Sequence, residues 1–207
     1  NWFPSYEPLA EHLRVVALDH RGHGRGIRTT RRFRLADCAD DAVALVDTLG
    51  IDRFIPVGYS MGGLVAQLIW HRHRDRVDGL VLGATARNFR GNPSAVGGFA
   101  ALGAMAAAAR VVPETARRRA ARRVIGRRPG LSDWARGQFE SGDPRMVLEA
   151  GQSIGAFSSH AWIGEVDVPT SVVLTEQDRV VPPSRQAKLA AAIPDAVVHP
   201  APIDHGG

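Results

Sequence analysis

The sequence predicts an α/β protein in which a central parallel sheet is covered by helices on both faces. Short apolar runs alternate with helical patterns through the first 85 residues, and the same alternation resumes at residue 166. Between these parts, residues 86–165 contain no apolar run typical of a buried strand. We therefore expect a core formed by 1–85 and 166–207, and a helical cap inserted at 86–165.

Apolar spacing and turn residues predict the elements of the first core segment. The run Leu13–Leu18 is typical of a buried strand, and a loop rich in Gly and Arg follows at Asp19–Arg32. Apolar residues recur at helical spacing over Leu35–Leu49, and Gly50 is placed to end that helix. The pattern continues with a strand at Phe54–Val57, a helix at Met61–Arg72 and a strand at Gly79–Gly83.

The second core segment repeats the alternation in a shorter form. It predicts a strand at Thr170–Leu174, a helix at Ser184–Ile193 and a short strand at Ala196–Val198, before a final loop that carries His205. Because these strands continue the same parallel sheet, the loops that follow them lie at its carboxyl edge. That edge is where ligands bind in open α/β sheets.

The most informative stretch is Gly58–Gly62, a Gly-Tyr-Ser-Met-Gly turn between a predicted strand and a predicted helix. Two glycines without a Cβ let the backbone fold closely around Ser60, which would project from the turn. The helix begins directly after Ser60, so its free N–H groups and its positive end face any charge that develops there. The alternative interpretation is an ordinary turn serine.

Serine is a weak nucleophile and needs a base and a group that orients the base. Asp178 follows the strand Thr170–Leu174 and His205 follows the strand Ala196–Val198, so both are expected at the edge where Ser60 projects. The acids that compete with Asp178 for this role are Glu176 and, beside the histidine, Asp204. His205 could also be a surface histidine of a loop.

Composition narrows the classes of function. The chain has 207 residues, a net charge of +5 and a single cysteine, so neither an intramolecular disulfide nor a cysteine-based metal site is expected. No run is long and apolar enough to span a membrane, and we expect a cytoplasmic protein without cofactor or metal. The arginines between Arg117 and Arg128 lack a module for reading nucleic acid. They form either a solvated helix face or a surface for an acidic ligand or a membrane.

Taken together, these motifs resemble the α/β-hydrolase superfamily, in the branch of serine hydrolases with a helical cap. The Val16–Gly24 segment, the Gly58–Gly62 elbow, and the Asp178 and His205 loops match the family's motifs in the family's order. The resemblance implies a triad of Ser60, His205 and Asp178 that hydrolyses a carboxylic ester or related small acyl substrate through an acyl-enzyme. The same triad could serve a C–C bond hydrolase, a lyase or a perhydrolase, and the fold could also belong to a non-catalytic binding protein or an inactive fragment.

The resemblance also assigns supporting groups. The backbone N–H of Met61 would donate to the oxyanion, and the second donor would come from a loop before Asn1. On this basis we expect a chain that is truncated at both ends and lacks a strand beside Leu13–Leu18. The substrate would contact Tyr59 and the cap aromatics Trp134, Phe139 and Trp162, although ordinary packing between cap and core is the more common role for such aromatics.

Overall fold

A four-stranded parallel sheet organises the structure, a computed structural model that describes residues 2–89, 93–126 and 142–206. Its strands are β1 (Val57–Tyr59), β2 (Leu80–Gly83), β3 (Thr170–Thr175) and β4 (Val197–Ala201). They lie side by side in chain order, and each pairs in parallel with the next. All carboxyl ends therefore meet at one edge of the sheet.

Helices lie on both sides of this sheet, as the sequence predicts. The core helices are α1 (Phe3–Ala10), α2 (Leu35–Thr48) and α3 (Met61–Arg72), and after the insertion α7 (Pro183–Ala190). Because α3 packs against α2 on one side and against β1 and β2 on the other, it is buried on almost every side. Helix α2 instead buries one stripe at helical spacing, which consists of Leu35, Cys38, Ala39, Ala42, Val43 and Val46.

The described residues between β2 and β3 form three helices: α4 (Pro93–Val111), α5 (Glu114–Gly126) and α6 (Pro144–Ala156). Helices α4 and α6 pack against each other. The β pairing found in the described part of this insertion is a single antiparallel bridge between Asn88 and Ser158. None of the helices in the described residues combines the length and the apolar character that crossing a membrane requires.

The predicted strand at Leu13–Leu18 is wrong. The segment has no strand pairing, and its apolar side chains are exposed rather than buried: Leu13 is 59% exposed, Val15 37% and Leu18 36%. A strand needs a neighbour for its backbone N–H and C=O groups. Among the described residues, the sheet begins at β1 and offers no neighbour to this segment.

The predicted strand at Phe54–Val57 begins later than expected, because Val57–Tyr59 forms β1 and Phe54 makes only an isolated bridge to Val77. Proline explains the interruption. Pro56 has no N–H to donate to a ladder, although its carbonyl accepts a 3.0 Å hydrogen bond from the Val81 N–H. The other predicted core strands and helices are present, with ends that differ by a few residues.

Candidate active site

Three side chains from three strand ends meet at the carboxyl edge of the sheet. Ser60 directly follows β1, Asp178 lies in the loop after β3, and His205 lies in the loop after β4. Because all four strands from β1 to β4 are parallel, the loops that follow them open on the same side. The structure thus brings together the three residues that the sequence singled out.

Ser60 occupies the apex of a sharp turn between β1 and α3. Its φ of 53° and ψ of −119° lie outside the regions that most side chains adopt, and its N–H donates to the Gly83 carbonyl at 2.9 Å. Gly58 is required here, because a Cβ at that position would run into the backbone of Gly62 and Gly63. The same reasoning is wrong for Gly62, whose missing Cβ would meet nothing within 4 Å.

Met61 is the first residue of α3, directly after Ser60. The first four N–H groups of a helix have no acceptor within the helix, and the Gly63 N–H bonds back to the Ser60 carbonyl at 3.0 Å. The Met61 N–H therefore belongs to the positive end of α3, beside the serine hydroxyl.

The His205 ring connects the other two side chains. Its Nε2 lies 2.9 Å from Ser60 Oγ, and its Nδ1 lies 2.7 Å from Asp178 Oδ2. An ionised carboxylate can only accept hydrogen bonds, so Nδ1 must be the donor to Asp178. In the neutral ring Nε2 is then an acceptor, and it faces the hydroxyl proton of Ser60.

The Asp178 side chain is completely buried, yet each oxygen is hydrogen-bonded. Oδ1 accepts from the N–H groups of Val180 and Val181, both at 2.8 Å, and Oδ2 accepts from Thr175 Oγ1 at 2.9 Å as well as from His205. Burial alone would raise the pKa of Asp178. The hydrogen bonds from His205, Val181, Thr175 and Val180 outweigh it and lower the pKa, so the carboxylate stays charged.

Gln186 is a supporting residue that the sequence analysis missed. From the buried face of α7 its amide accepts from the Thr175 N–H at 3.0 Å and donates to Thr175 Oγ1 and the Val181 carbonyl, both at 2.7 Å, and to the Thr175 carbonyl at 3.4 Å. It also approaches Asp178 Oδ2 at 3.4 Å. A signal was available, because Gln186 shares a helical stripe with Leu189, Ala190 and Ile193, where a polar residue needs buried partners.

Tyr59, predicted to contact substrate, faces the histidine loop. Its hydroxyl donates to the His205 carbonyl at 3.1 Å, and the two rings are 5.6 Å apart. Trp2 packs edge-on against the other side of the Tyr59 ring. This position makes Tyr59 a residue that holds the loop of His205 in place.

The predicted cap aromatics have different outcomes. Trp134 and Phe139 lie outside the described residues. Trp162 stacks on His71 with ring centroids 4.2 Å apart and packs against Trp70, near the end of α3 opposite Ser60. Ten residues of helix correspond to about 15 Å, so this placement favours packing over contact with substrate.

The competing acids are placed elsewhere. Glu176 is exposed, and Asp204 is exposed and accepts a hydrogen bond from the Gly206 N–H at 2.8 Å. Within the described ranges, no group of three or more His, Cys, Asp and Glu side chains is arranged to hold a metal ion. Asp178 is thus the acid whose carboxylate contacts His205.

Comparison with known proteins identifies a family and several relatives of this chain. A family model described as "alpha/beta hydrolase fold" matches residues 1–207. A protein of Agrobacterium fabrum named "Putative carbamate hydrolase RutD" is 28% identical, over 94% of this chain and 76% of its own length. Other relatives with that name align over 82 residues, about 30% of their length.

Two further similarities cover most of the chain. The "Poly(3-hydroxyalkanoate) depolymerase" of Ectopseudomonas oleovorans is 30% identical, over 95% of this chain and 70% of its own. The crystal structure of the enol-lactonase from Burkholderia xenovorans LB400 superposes with a TM-score of 0.78 and 27% identity, over 99% of this chain and 78% of that one. The chain belongs to the alpha/beta hydrolase fold family, and its relatives place it among the enzymes of that family.

Proposed function

We propose that this chain hydrolyses a carboxylic ester or a related acyl substrate, with Ser60 as nucleophile, His205 as base and Asp178 as the orienting acid. The observation that carries the proposal is the unbroken line of hydrogen bonds from Ser60 Oγ through the His205 ring to Asp178. Its two links measure 2.9 and 2.7 Å. Both are within the range that a proton transfer of this kind requires.

The proposed reaction has two stages, acylation and deacylation. His205 Nε2 takes the proton of the Ser60 hydroxyl while Oγ attacks the carbonyl carbon of the substrate. The resulting imidazolium is stabilised by the buried charge of Asp178. His205 then returns the proton to the leaving alcohol, which departs and leaves an acyl group on Oγ. A water molecule, deprotonated by the same nitrogen, attacks this acyl group. The bond between the acyl carbon and Oγ then breaks, His205 returns the proton to Ser60 Oγ, and the acid is released.

The tetrahedral intermediate places a negative charge on the former carbonyl oxygen. The Met61 N–H at the start of α3 supports this step, since it is next to Ser60 and belongs to the positive end of the helix. We also propose that residues 86–165 act as the cap that shapes the acyl pocket.

The substrate class follows from the shared chemistry of the relatives' names. A carbamate, a polyester and an enol lactone each present a carbonyl carbon bonded to oxygen or nitrogen. Attack by a serine at such a carbon gives the same kind of intermediate in all three. A small ester or lactone is therefore the substrate that we propose to test first.

The direct test is hydrolysis of short-chain p-nitrophenyl esters, followed by release of p-nitrophenol. Ser60→Ala should lower kcat by several orders of magnitude, to the residual catalysis that binding and the oxyanion donor supply alone. Ser158→Ala is the matched control, since it removes a hydroxyl from the insertion and should leave kcat within about twofold. Ester turnover that survives in Ser60→Ala would overturn the assignment of the nucleophile.

A fluorophosphonate probe tests the site when the preferred substrate is unknown. The wild-type chain should gain the mass of one phosphonyl group, and Ser60→Ala should gain none. A folded chain that is not labelled would favour the alternative of a non-catalytic binding protein. Labelling without ester turnover would favour another reaction of the same triad, such as C–C bond cleavage.

A further inference from the structure

A cavity of about 750 Å³ lies between the loop after residue 21, helices α4 and α5, and the start of α6. Its volume is within the usual range for small-molecule sites. Ser60, Asp178 and His205 do not line it. The described residues of its wall are Gly22, Arg28, Thr29, Thr30, Arg110, Glu114, Arg117, Arg118, Asp143, Arg145 and Met146.

Positive charge dominates this wall, because its described residues include five arginines but only two acidic side chains. Arg145 is the most buried of the five, with 7% of its side chain exposed. Its guanidinium is fixed by the carbonyls of Thr29, at 2.7 Å, and Thr30, at 3.1 Å. Neutral carbonyls orient the guanidinium group but do not cancel its charge.

The ion pairs of Arg145 are long. Its nitrogens lie 3.6 Å from Asp143 and 3.5 Å from Glu149, whereas a close charged pair is about 2.7–2.9 Å. Glu149 is shared, since it also pairs with Arg110 at 2.8 Å and accepts from the Phe33 N–H at 2.7 Å. The two acids near Arg145 therefore compensate its charge only in part.

Arg117, on α5, is also paired only weakly with an acid. Its side chain is 14% exposed, and it reaches Asp143 only at 3.9 Å. Asp143 is already occupied as the cap of α6, where it accepts from the Arg145 N–H at 2.9 Å. The buried Nε of Arg117 has no hydrogen-bond partner among the described residues. The Nη1 of Arg117 donates to the carbonyls of Ala109 and Val112, both at 2.8 Å, and these neutral groups do not cancel its charge. A half-enclosed cavity with one buried and one partly exposed guanidinium group, both paired only weakly with acids, is a favourable environment for an anion.

We propose that this cavity binds a small oxyanion with two or more negative charges, carried by carboxylate or phosphate groups. Arginine suits such ligands because its planar fork donates two parallel hydrogen bonds to their oxygens. Arg117 and Arg145 are the principal residues that bind the anion, and Arg110 lies in the same wall of the cavity. The site is separate from the serine chemistry, so it does not depend on the proposed hydrolase function.

Isothermal titration calorimetry on the full chain tests the proposal, with inorganic pyrophosphate and citrate as the probes. We expect saturable binding of one equivalent, weakened by added salt, and a rise in Tm with ligand concentration. Because calorimetry records binding and requires no ester turnover, it tests this proposal even if the chain does not hydrolyse esters. Comparison of the two probes shows whether phosphate or carboxylate oxygens bind more tightly.

Arg117→Gln should weaken binding roughly tenfold or more, in line with the loss of a charged hydrogen-bond donor. Arg122→Gln is the matched control: it removes the same charge from α5 outside the cavity wall, and it should change the affinity less than twofold. If Arg117→Gln does not fold, Arg110→Gln tests the same wall. Arg117→Lys should restore only part of the affinity, because it keeps the charge and loses the fork.

Three results would overturn the proposal. The first is the absence of saturable binding by either probe. The second is equal weakening by Arg117→Gln and Arg122→Gln, which would indicate attraction by net charge alone. The third is binding of long polyanions such as heparin with none of pyrophosphate or citrate, which would indicate a basic surface.

Discussion

The backbone of Ser60, with a φ of 53° and a ψ of −119°, occupies a region that side chains rarely adopt. A conformation of this kind costs on the order of 1–3 kcal/mol, and the surrounding structure must hold it in place. Two features do so here: the hydrogen bond from the Ser60 N–H to the Gly83 carbonyl, and the close approach of Gly58 to the start of α3. The two glycines of the turn therefore have different roles.

We expect Gly58→Ala and Gly62→Ala to change the free energy of unfolding in opposite directions. A Cβ at position 58 would displace the first turn of α3, so Gly58→Ala should lower the free energy of unfolding by about 1–3 kcal/mol and abolish ester turnover. A Cβ at position 62 meets open space within a helix, where alanine is favoured over glycine by about 0.5–1 kcal/mol. Urea unfolding of both variants measures the two changes in the free energy of unfolding. Equal destabilisation would contradict the assigned packing.

Tyr59→Phe should reduce kcat several-fold with little change in KM or Tm. The variant removes the hydrogen bond from Tyr59 to the His205 carbonyl, worth about 0.5–1.5 kcal/mol, together with the longer contact to the Asp204 carbonyl at 3.5 Å, and loosens the loop that aims the imidazole. Kinetics with a p-nitrophenyl ester separate kcat from KM. Tyr6→Phe, at the only other tyrosine of the chain, is the control and should not alter kcat. A change confined to KM would instead indicate contact with substrate.

At the scale of elements, α7 supports the acid through one residue. Gln186→Leu should lower the free energy of unfolding by at least about 2 kcal/mol, because the Thr175 N–H and the Val181 carbonyl lose a buried partner. Turnover should also fall, since Asp178 loses a neighbour that fixes its loop. Chemical denaturation and ester kinetics measure the two effects.

Gln177→Leu is the matched control for that prediction. Gln177 is exposed and its side chain makes one hydrogen bond, to the Pro202 carbonyl at 3.1 Å, so its loss should change the stability by no more than about 0.5 kcal/mol. If Gln186→Leu were as mild as this control, the amide would not be a support of the acid loop.

Several elements could be predicted because local pattern and tertiary environment agree. Helix α3 spans Met61–Arg72, as its apolar spacing predicts, and β3 starts at Thr170 as expected. The run Leu13–Leu18 has the same apolar character, but a strand also needs a partner, and apolar content says nothing about partners. Pro56 could have indicated the late start of β1, because a residue without an N–H interrupts the hydrogen bonds between strands.

The residues of the candidate site also include some that the sequence could predict and some that it could not. Ser60, Asp178 and His205 could be identified because each follows a strand and together they have complementary chemistry. The role of Tyr59 could not be derived from local sequence, because its hydroxyl reaches across 146 positions to the backbone of His205. Gln186 is different: its partners Thr175 and Val181 lie only 11 and 5 positions away, and its place among buried apolar residues indicated a buried polar role.

On the scale of the whole molecule, the buried core predicts an inert thiol. Cys38 is fully buried in α2, and burial raises its pKa to about 12. The thiolate is the reactive form, so the folded chain should not react with Ellman's reagent at pH 8. In urea one equivalent should react at once, which makes the labelling rate a measure of global opening. Rapid labelling of the native chain would contradict this burial.

The separation of Ser60 and His205 along the chain has a consequence for biosynthesis. The elbow and α3 are complete once about a third of the sequence has been made, yet the base lies 145 positions later. Contacts between such distant residues form slowly because a long loop must close first. On the proposed assignment, a nascent or refolding chain has its nucleophile in place while it lacks the base that activates it. We therefore expect the serine to stay unreactive toward esters until the last strand has docked.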